Sequence, residues 1–327
     1  MATRRQVLQA GGTLFISSLI EAPVFAEASY PGSREVRLIV PFSPGSTPDI
    51  VTRYFSENMR PFLGGTIVVE NKVGASGNIA VIYVAKAKPD GYTILSAAPS
   101  PQIAAGPSLF KNAGYDPSEF AVLGSVFRYA FTVCVAANSP HKTLQSLIAA
   151  VRAKGANASY STTVPSGQVS GAMMKNMLKL EAVEVSYRAS SDALNDLNSG
   201  AIDYMMTDLG FALSLHREGK LRVLAVTSKE RMTTAPDIPT MDESGVPGVD
   251  VTGWWGIEVP AGVPQPIKDK ISSAFLKMAE KPETRKFVTE LASDPWVVGP
   301  DEAQAQMLKD VKKWAEYVKL ANLEPKG

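Results

Sequence analysis

A chain of 327 residues, 45% apolar and 20% charged, has the length of about two domains and the composition of an ordinary globular protein. Its 33 basic and 32 acidic residues leave a formal charge of +1, with no basic stripe interleaved with aromatics, so nucleic acid is not an expected partner. The single cysteine, Cys134 in "FTVCV", rules out an internal disulfide and reads as a small buried hydrophobe.

The chain opens on a processing segment. Residues 1–28 carry a basic start (Arg4, Arg5), a short apolar run over Leu14–Ile20, and small residues at Val24–Ala26 and Ala26–Ala28 that suit cleavage. The run is too short to span a bilayer, which takes about twenty apolar residues. "TRRQVLQ" resembles a twin-arginine export signal, the alternative being an ordinary secretory signal with two arginines. With no cysteine near the cleavage region, a lipid anchor there is not expected. The mature chain is therefore expected in the periplasm, soluble and monomeric.

From residue 29 onward, short β-branched runs alternate with helix-length segments. Strands are predicted over Val36–Phe42, Thr66–Glu70, Thr93–Ala97, Phe131–Ala136, Ala158–Thr162, Val183–Tyr187, Tyr204–Thr207, Val223–Thr227 and Trp255–Val259. Helices are predicted over Pro48–Met59, Asn78–Ala87, Leu144–Lys154, Gln168–Leu180, Asp192–Ser199, Pro266–Glu280, Pro282–Leu291 and Asp301–Leu323. This alternation argues for an α/β fold with largely parallel sheets. Gly200 stands where a helix should stop. Two stretches read as crossings between domains: "GSVFRYAFTVCVAANS" at 124–139 and "GVDVTGWWGIEVPAGVP" at 248–264. The expected division is 29–126 plus 253–327 for one domain and 127–252 for the other, hinged over a ligand cleft.

Four loops are candidates to line that cleft. In "VRLIVPFSPGSTPDIVTRYF", 36–55, a strand runs into a small polar loop and a helix. Thr47 suits the N-cap, Pro48 the first helical position and Asp49 the first turn. Ser43, Gly45, Ser46 and Thr47 supply N–H groups and hydroxyls at a helix start, which attracts anions. Both Walker and Rossmann glycine patterns are missing, so a carboxylate fits better than a triphosphate. The second loop, in "VENKVGASGNIAVIYVAK", puts Ala75, Ser76 and Gly77 ahead of a helix, with Ser76 or Asn78 as its cap. The third, in "ASYSTTVPSGQVSGAMMKNML", offers Thr162, Thr163, Ser166 and Gln168, with Ser166 or Gly167 opening the helix. The fourth, in "VSYRASSDALNDLNSGAIDYMMTD", offers Arg188, Ala189 and Ser190, with Ser190 or Ser191 capping a helix from Asp192, and Asp208 ending the next strand. Each loop alone also reads as an ordinary capped turn. Two loops in each domain facing one cleft would suit a ligand with an anionic group at each end.

The chain also resembles a known family, the extracytoplasmic Bug-type receptors of tripartite tricarboxylate transporters. The resemblance runs through "VPFSPGSTPDIVTR", "VENKVGASGNIA", "KPDGYTIL", "VSYRASSDALNDLNSGAIDYMMTD", "GKLRVLAVTSKER" and "IPTMDESGVPGVDVTGWWGIEVPAGVP", in family order. It implies a two-domain periplasmic-binding-protein fold of Venus-flytrap, type II-like form with two crossing strands. It further implies a small carboxylate ligand held by main-chain N–H groups, hydroxyls and water, and delivery to a membrane permease; separately, no cofactor or metal is expected.

The sequence departs from the family at three points. Ser46 replaces the second glycine of a P-G-G turn, the second-domain loop reads "VPSG" with Pro165 and Ser166, and Ala189 stands where glycine is usual. The added bulk and hydroxyls make an aromatic dicarboxylate of terephthalate type as good an expectation as an aliphatic one. Two other readings stand beside the receptor: a ligand-sensing subunit for a membrane signalling protein, and an exported hydrolase. The hydrolase is the weaker, since His141 and His216 lie in no triad or metal context and neither G-x-S-x-G nor H-E-x-x-H occurs.

Overall fold

The computed structural model describes residues 30–187 and 189–326. The first half of the chain lays down β1 (Val36–Val40), α1 (Thr47–Leu63), β2 (Ile67–Asn71), α2 (Asn78–Ala85), β3 (Thr93–Ala97) and a short α3 (Gly106–Leu109). A long strand, β4 (Phe120–Ala136), follows. Then come α4 (Leu144–Lys154), β5 (Ser159–Thr162), α5 (Pro165–Met177), β6 (Val183–Ser186), α6 (Ser190–Ser199), β7 (Tyr204–Asp208), α7 (Leu209–Arg217) and β8 (Leu221–Val226). The chain closes with β9 (Thr252–Pro260), α8 (Gln265–Ala279), α9 (Pro282–Glu290), β10 (Asp294–Val298) and α10 (Pro300–Leu320).

Two sheets share β4. The first runs β2-β1-β3-β9-β4, with β10 on the other edge of β4. The second joins β4 to β7, β5 and β6 on one side and to β8 on the other. The parallel expectation holds for β1 with β2 and β3, and for β5 with β6 and β7. Every pairing made by β4 or β9 is antiparallel instead. The reason is connectivity: the strand that carries the chain across and the one that brings it back run opposite to each other, and each runs opposite to the βα strands of the half it enters, β4 to β7 and β9 to β3.

The first crossing is thus longer than its strand signal, because Gly124 and the polar Ser125 and Arg128 interrupt the apolar pattern of its first half. Its partners change from β9 to β7 and β8 between Ala130 and Phe131. There the buried Thr227 stitches the two crossing segments together: its hydroxyl donates to Val251 O at 2.7 Å and accepts from Phe131 N at 3.0 Å. The short runs at β10, α3 and α7 are not among the elements expected from sequence.

Packing follows the apolar faces. Val51, Phe55, Met59 and Leu63 recur on one side of α1 and are buried. They pack against α8, where Phe55 meets Phe275 edge-on with centroids 5.3 Å apart. Gly64, left-handed at φ 75°, ends α1, and Gly200, at φ 80°, ends α6 as its position predicts. The other face of the first sheet is covered by α2 and α10, and this core continues into the second half through α4 and α5. The end of α10 and the tail beyond it reach α5 in the second half: Asn176 Nδ2 donates to Leu320 O at 3.2 Å, and Lys326 Nζ to Gln168 Oε1 at 3.2 Å. Among the described residues, no helix is long and apolar enough to cross a membrane.

Candidate functional site

Three of the four loops follow a parallel strand that leads directly into a helix; the second follows β2 through a short 3₁₀ turn. The first loop is held from beneath by Asp49. One Asp49 oxygen accepts from Gly45 N at 2.9 Å and Arg53 Nε at 2.9 Å, and the other from Asn71 Nδ2 at 2.8 Å. The same Asn71 amide donates to Phe42 O at 2.9 Å. The Arg53 guanidinium, with the Gly45 and Asn71 donors, lowers the Asp49 carboxyl to about 2. This buried carboxylate shapes the loop and, with its oxygens so engaged, is not offered to a ligand. Gly45 adopts φ 78°, as the turn demands.

The helix begins one residue earlier than its capping pattern predicts. Ser46, not Thr47, occupies the N-cap position, and its hydroxyl donates to Ser43 O at 2.7 Å instead of capping. A hydroxyl has one proton, so this turn uses the donor expected to meet an anion. Ile50 N donates back to Ser46 O, and Pro48 has no N–H. Thr47 and Asp49 are left as the two main-chain donors of this helix start without a protein acceptor among the described residues.

The second loop is backbone under strain. Gly74, Ala75, Ser76 and Gly77 all have positive φ, at 138°, 45°, 55° and 98°. For Ala75 and Ser76 this left-handed geometry costs on the order of 1 kcal/mol each. Gly77 takes the N-cap position of α2, and neither Ser76 nor Asn78 caps with its side chain. A Cβ on Gly77 would sit 3.2 Å from Pro41 and 3.5 Å from Gln102, which fixes this loop against the end of β1. Ala75 and Ser76 remain exposed.

On the other side, α5 opens at Pro165 with Val164 in the N-cap position, so neither Ser166 nor Gly167 is the cap. Gln168 N donates to Val164 O, and Pro165 lacks an N–H, so Ser166 and Gly167 again leave two main-chain donors without a protein acceptor among the described residues. Helix α6 starts at Ser190 with Ala189 in the N-cap position, which overturns capping by Ser190 or Ser191: the Ser190 hydroxyl is drawn sideways. It lies 3.5 Å from Thr163 Oγ1 and 3.2 Å from Thr207 Oγ1, a hydroxyl chain that ties the third and fourth loops to the end of β7. Arg188 lies outside the described residues, as does the leader over 1–28.

Three of the expected ligand side chains are engaged within the protein. Thr162 Oγ1 donates to Glu184 Oε1 at 2.7 Å, and Gln168 Nε2 to Glu184 Oε2 at 3.2 Å, with Lys326 on the Gln168 carbonyl. Asp208 is the N-cap of α7 and accepts from Phe211 N at 2.8 Å, while burial raises its carboxyl. Tyr129 on β4 was not singled out. Its ring fills the space above Gly253, where a Cβ would meet its hydroxyl at 2.5 Å, and the nearby Asp208 charge adds to burial in raising the phenol. Arg53 was legible as the i+4 partner of Asp49; Asn71 and Tyr129 had no local signal.

Two pairs of loops, each at the carboxyl ends of parallel strands, with a proline in the first turn of α1 in one pair and of α5 in the other, are the arrangement of a two-lobed binding protein. Residues 51–323 match the family model described as the tripartite tricarboxylate transporter family receptor. The chain belongs to that family.

Among the receptor's relatives, a UPF0065 protein from the TAR-I ttuE-ttuC' intergenic region of Agrobacterium vitis is 30% identical, over 94% of this chain and 90% of that one. Protein BugT of Bordetella pertussis is 28% identical, over 94% and 95%. Among solved structures, the periplasmic binding protein BugD is 33% identical with a TM-score of 0.79, over 90% of this chain and 99% of that one. Rpa4515 of R. palustris with adipate is 28% identical with a TM-score of 0.81, again over 90% and 99%. MatC of Rhodopseudomonas palustris with bound malate is 27% identical with a TM-score of 0.76, over 87% and 99%. The receptor therefore has the two-domain periplasmic-binding-protein fold, and its class is solute binding, not catalysis.

Proposed function

We propose that the receptor captures a small dicarboxylate between its two lobes by domain closure and delivers it to a tripartite tricarboxylate-type permease. The observation that carries this reading is the pairing of donors. Thr47 and Asp49 N–H at the start of α1, and Ser166 and Gly167 N–H at the start of α5, each match the two oxygens of one carboxylate. A ligand with a carboxylate at both ends satisfies both lobes at once, and so favours the closed form over the open one. Adipate and malate, named with two of the relatives of known structure, are both dicarboxylates.

The lobes in this reading are 29–126 with 253–327, and 127–252. Ser43, Ala75, Ser76 and Gly77 line the first end, and Thr163, Ala189 and Ser190 the second, as walls around main-chain donors. Ala189 and the Pro165–Ser166 pair narrow the second end, which favours a slim or flat chain between the carboxylates. Residues 1–28 direct the chain to the periplasm, and Arg4→Lys with Arg5→Lys should abolish export if the twin-arginine route is used.

A thermal-shift panel of mono-, di- and tricarboxylates, aliphatic and aromatic, tests the ligand class. A ligand at a hundred times its Kd stabilises by about 2.7 kcal/mol, which is several degrees for lobes of this size. Stabilisation by dicarboxylates but not by their monocarboxylate analogues is the expected result. Equal stabilisation by both kinds would remove the two-ended reading.

A further inference from the structure

None of the four loops contributes to a separate cavity of about 370 Å³, built across the crossing strands. Its floor is Arg128 on β4 and Thr252 with Trp254 on β9; its walls are the 228–232 segment on one side and Trp296 with the inner face of α10 on the other. Ser228 is 6% exposed, and its hydroxyl has no hydrogen-bond partner among the described residues. Such a buried donor is costly unless something accepts from it.

The charges around the cavity are unevenly matched. Asp250 pairs with Lys313 at 2.6 Å and also accepts from Lys229 N and Thr252 Oγ1. Asp310 accepts from Trp254 Nε1 and Gln306 Nε2, each at 2.8 Å. Asp294, directly opposite Arg128 in the ladder, is occupied by Thr233 and Thr234. Arg128, half-buried, enters no ion pair among the described residues. Glu230 and Glu302 lie exposed at the rim, in water. The unanswered groups in the depth of the cavity are thus a guanidinium and a hydroxyl, both donors, set beside the indoles of Trp254 and Trp296, whose rings meet edge-on at 5.4 Å.

We propose that this cavity is a second binding site, for an organic monoanion with a flat apolar body, its carboxylate or sulfonate on Arg128 and Ser228 and its body against Trp296 and Met232. A guanidinium binds such a planar oxyanion through two parallel N–H bonds, and the apolar body covers the indole surface. Because the walls come from both sides of the crossing strands, an occupant touches both halves and biases how they sit.

The probe is sodium benzenesulfonate, titrated into the ¹⁵N-labelled chain from residue 29 while the indole N–H signals of the four tryptophans are followed by NMR. The Trp254 and Trp296 signals should move together and saturate with a Kd of about 1 mM or tighter, the range expected of a ligand this small. Phenyltrimethylammonium should move neither. Arg128→Gln should weaken binding at least tenfold, Arg128→Lys by less, and Ser228→Ala, a change too small to disturb the fold, a few-fold. The proposal is overturned if the signals drift without saturating, if Ser228→Ala and Arg128→Gln bind like the parent, or if only Trp255 responds, whose indole N–H is bonded to Ser96 on the other face of the sheet.

Discussion

Glu258 is the sharpest test of the packing. It sits on β9 between Leu95 and Val122 in the neighbouring strands, is fully buried, and neither carboxylate oxygen has a hydrogen-bond partner among the described residues. Burial raises its carboxyl well above the ordinary range, so the fold holds it neutral. The unfolded chain releases that proton near pH 4.3. Between that pH and its folded value the native state binds more protons than the unfolded state. Stability therefore falls as pH rises, by about 1.4 kcal/mol per pH unit. At pH 7 the cost amounts to about 3.7 kcal/mol as long as the group stays protonated in the fold. Glu258→Gln keeps the shape and removes the titration, but buries one more unpaired donor, at about 1–3 kcal/mol. The variant should thus be more stable than the parent by about 1–2.5 kcal/mol at pH 7, or about 2–8 °C in Tm. At pH 5, where holding the proton costs only about 1 kcal/mol, it should be no more stable than the parent. Melting curves by circular dichroism from pH 5 to 8 give the answer. Parallel Tm–pH profiles for parent and variant would refute the argument, because they would mean that Glu258 is ionised or solvated in the fold.

Other outcomes follow from the loops and the core. Asp49→Asn should weaken dicarboxylate binding about tenfold in calorimetry by freeing the Gly45 turn, since a charge-assisted bond is worth about 1.5–3 kcal/mol. Because the Asp49 carboxyl is lowered in the fold, its contribution is present above its unfolded value and lost as pH falls from about 4 to about 2. Arg53 is half exposed, so the contribution is at most about 1–2 kcal/mol, visible as a parent–variant gap in urea unfolding at pH 5 that closes towards pH 2. Ser46→Ala should lower affinity less than about fivefold, because its hydroxyl serves the turn at Ser43 O rather than the ligand; a loss of a hundredfold would show that it turns to the anion. Cys134, buried and with its thiol pushed up to about 12, should resist a thiol-specific reagent at pH 8 in the native protein and react on unfolding.

The elements that sequence revealed were those whose signal is local. Leu144–Lys154 is found at its predicted bounds because apolar periodicity and the Thr143 cap agree on it, and Thr93–Ala97 because the turn ending at Gly91 precedes a short run of strand-forming residues. The four loops were legible as loops for the same reason. What each polar group does in them was not, because that depends on which acceptor lies nearby in space. Ser46 has Ser43 O within its own turn, Thr162 and Gln168 meet Glu184 on the neighbouring strand, and Asp49 meets Asn71 from β2. Pro48 reads from sequence as a helix starter and Pro165 only as a departure from the family loop, yet the larger consequence of both is subtractive: each removes one donor and leaves the helix start with two. From sequence, N–H groups and hydroxyls are expected to act together; in the proposed function the hydroxyls are bound within the protein and a pair of main-chain N–H groups in each lobe meets the ligand. Such a pair cannot be removed by changing a side chain, but it can be altered by changing the proline. Pro165→Ala adds a third N–H without disturbing Ser166 or Gly167, so it should leave dicarboxylate affinity within about threefold, whereas moving the helix start by Gly167→Pro, which deletes one of the two donors, should cost at least tenfold. Equal effects of the two substitutions in calorimetry would show that the helix start is not where the anion sits.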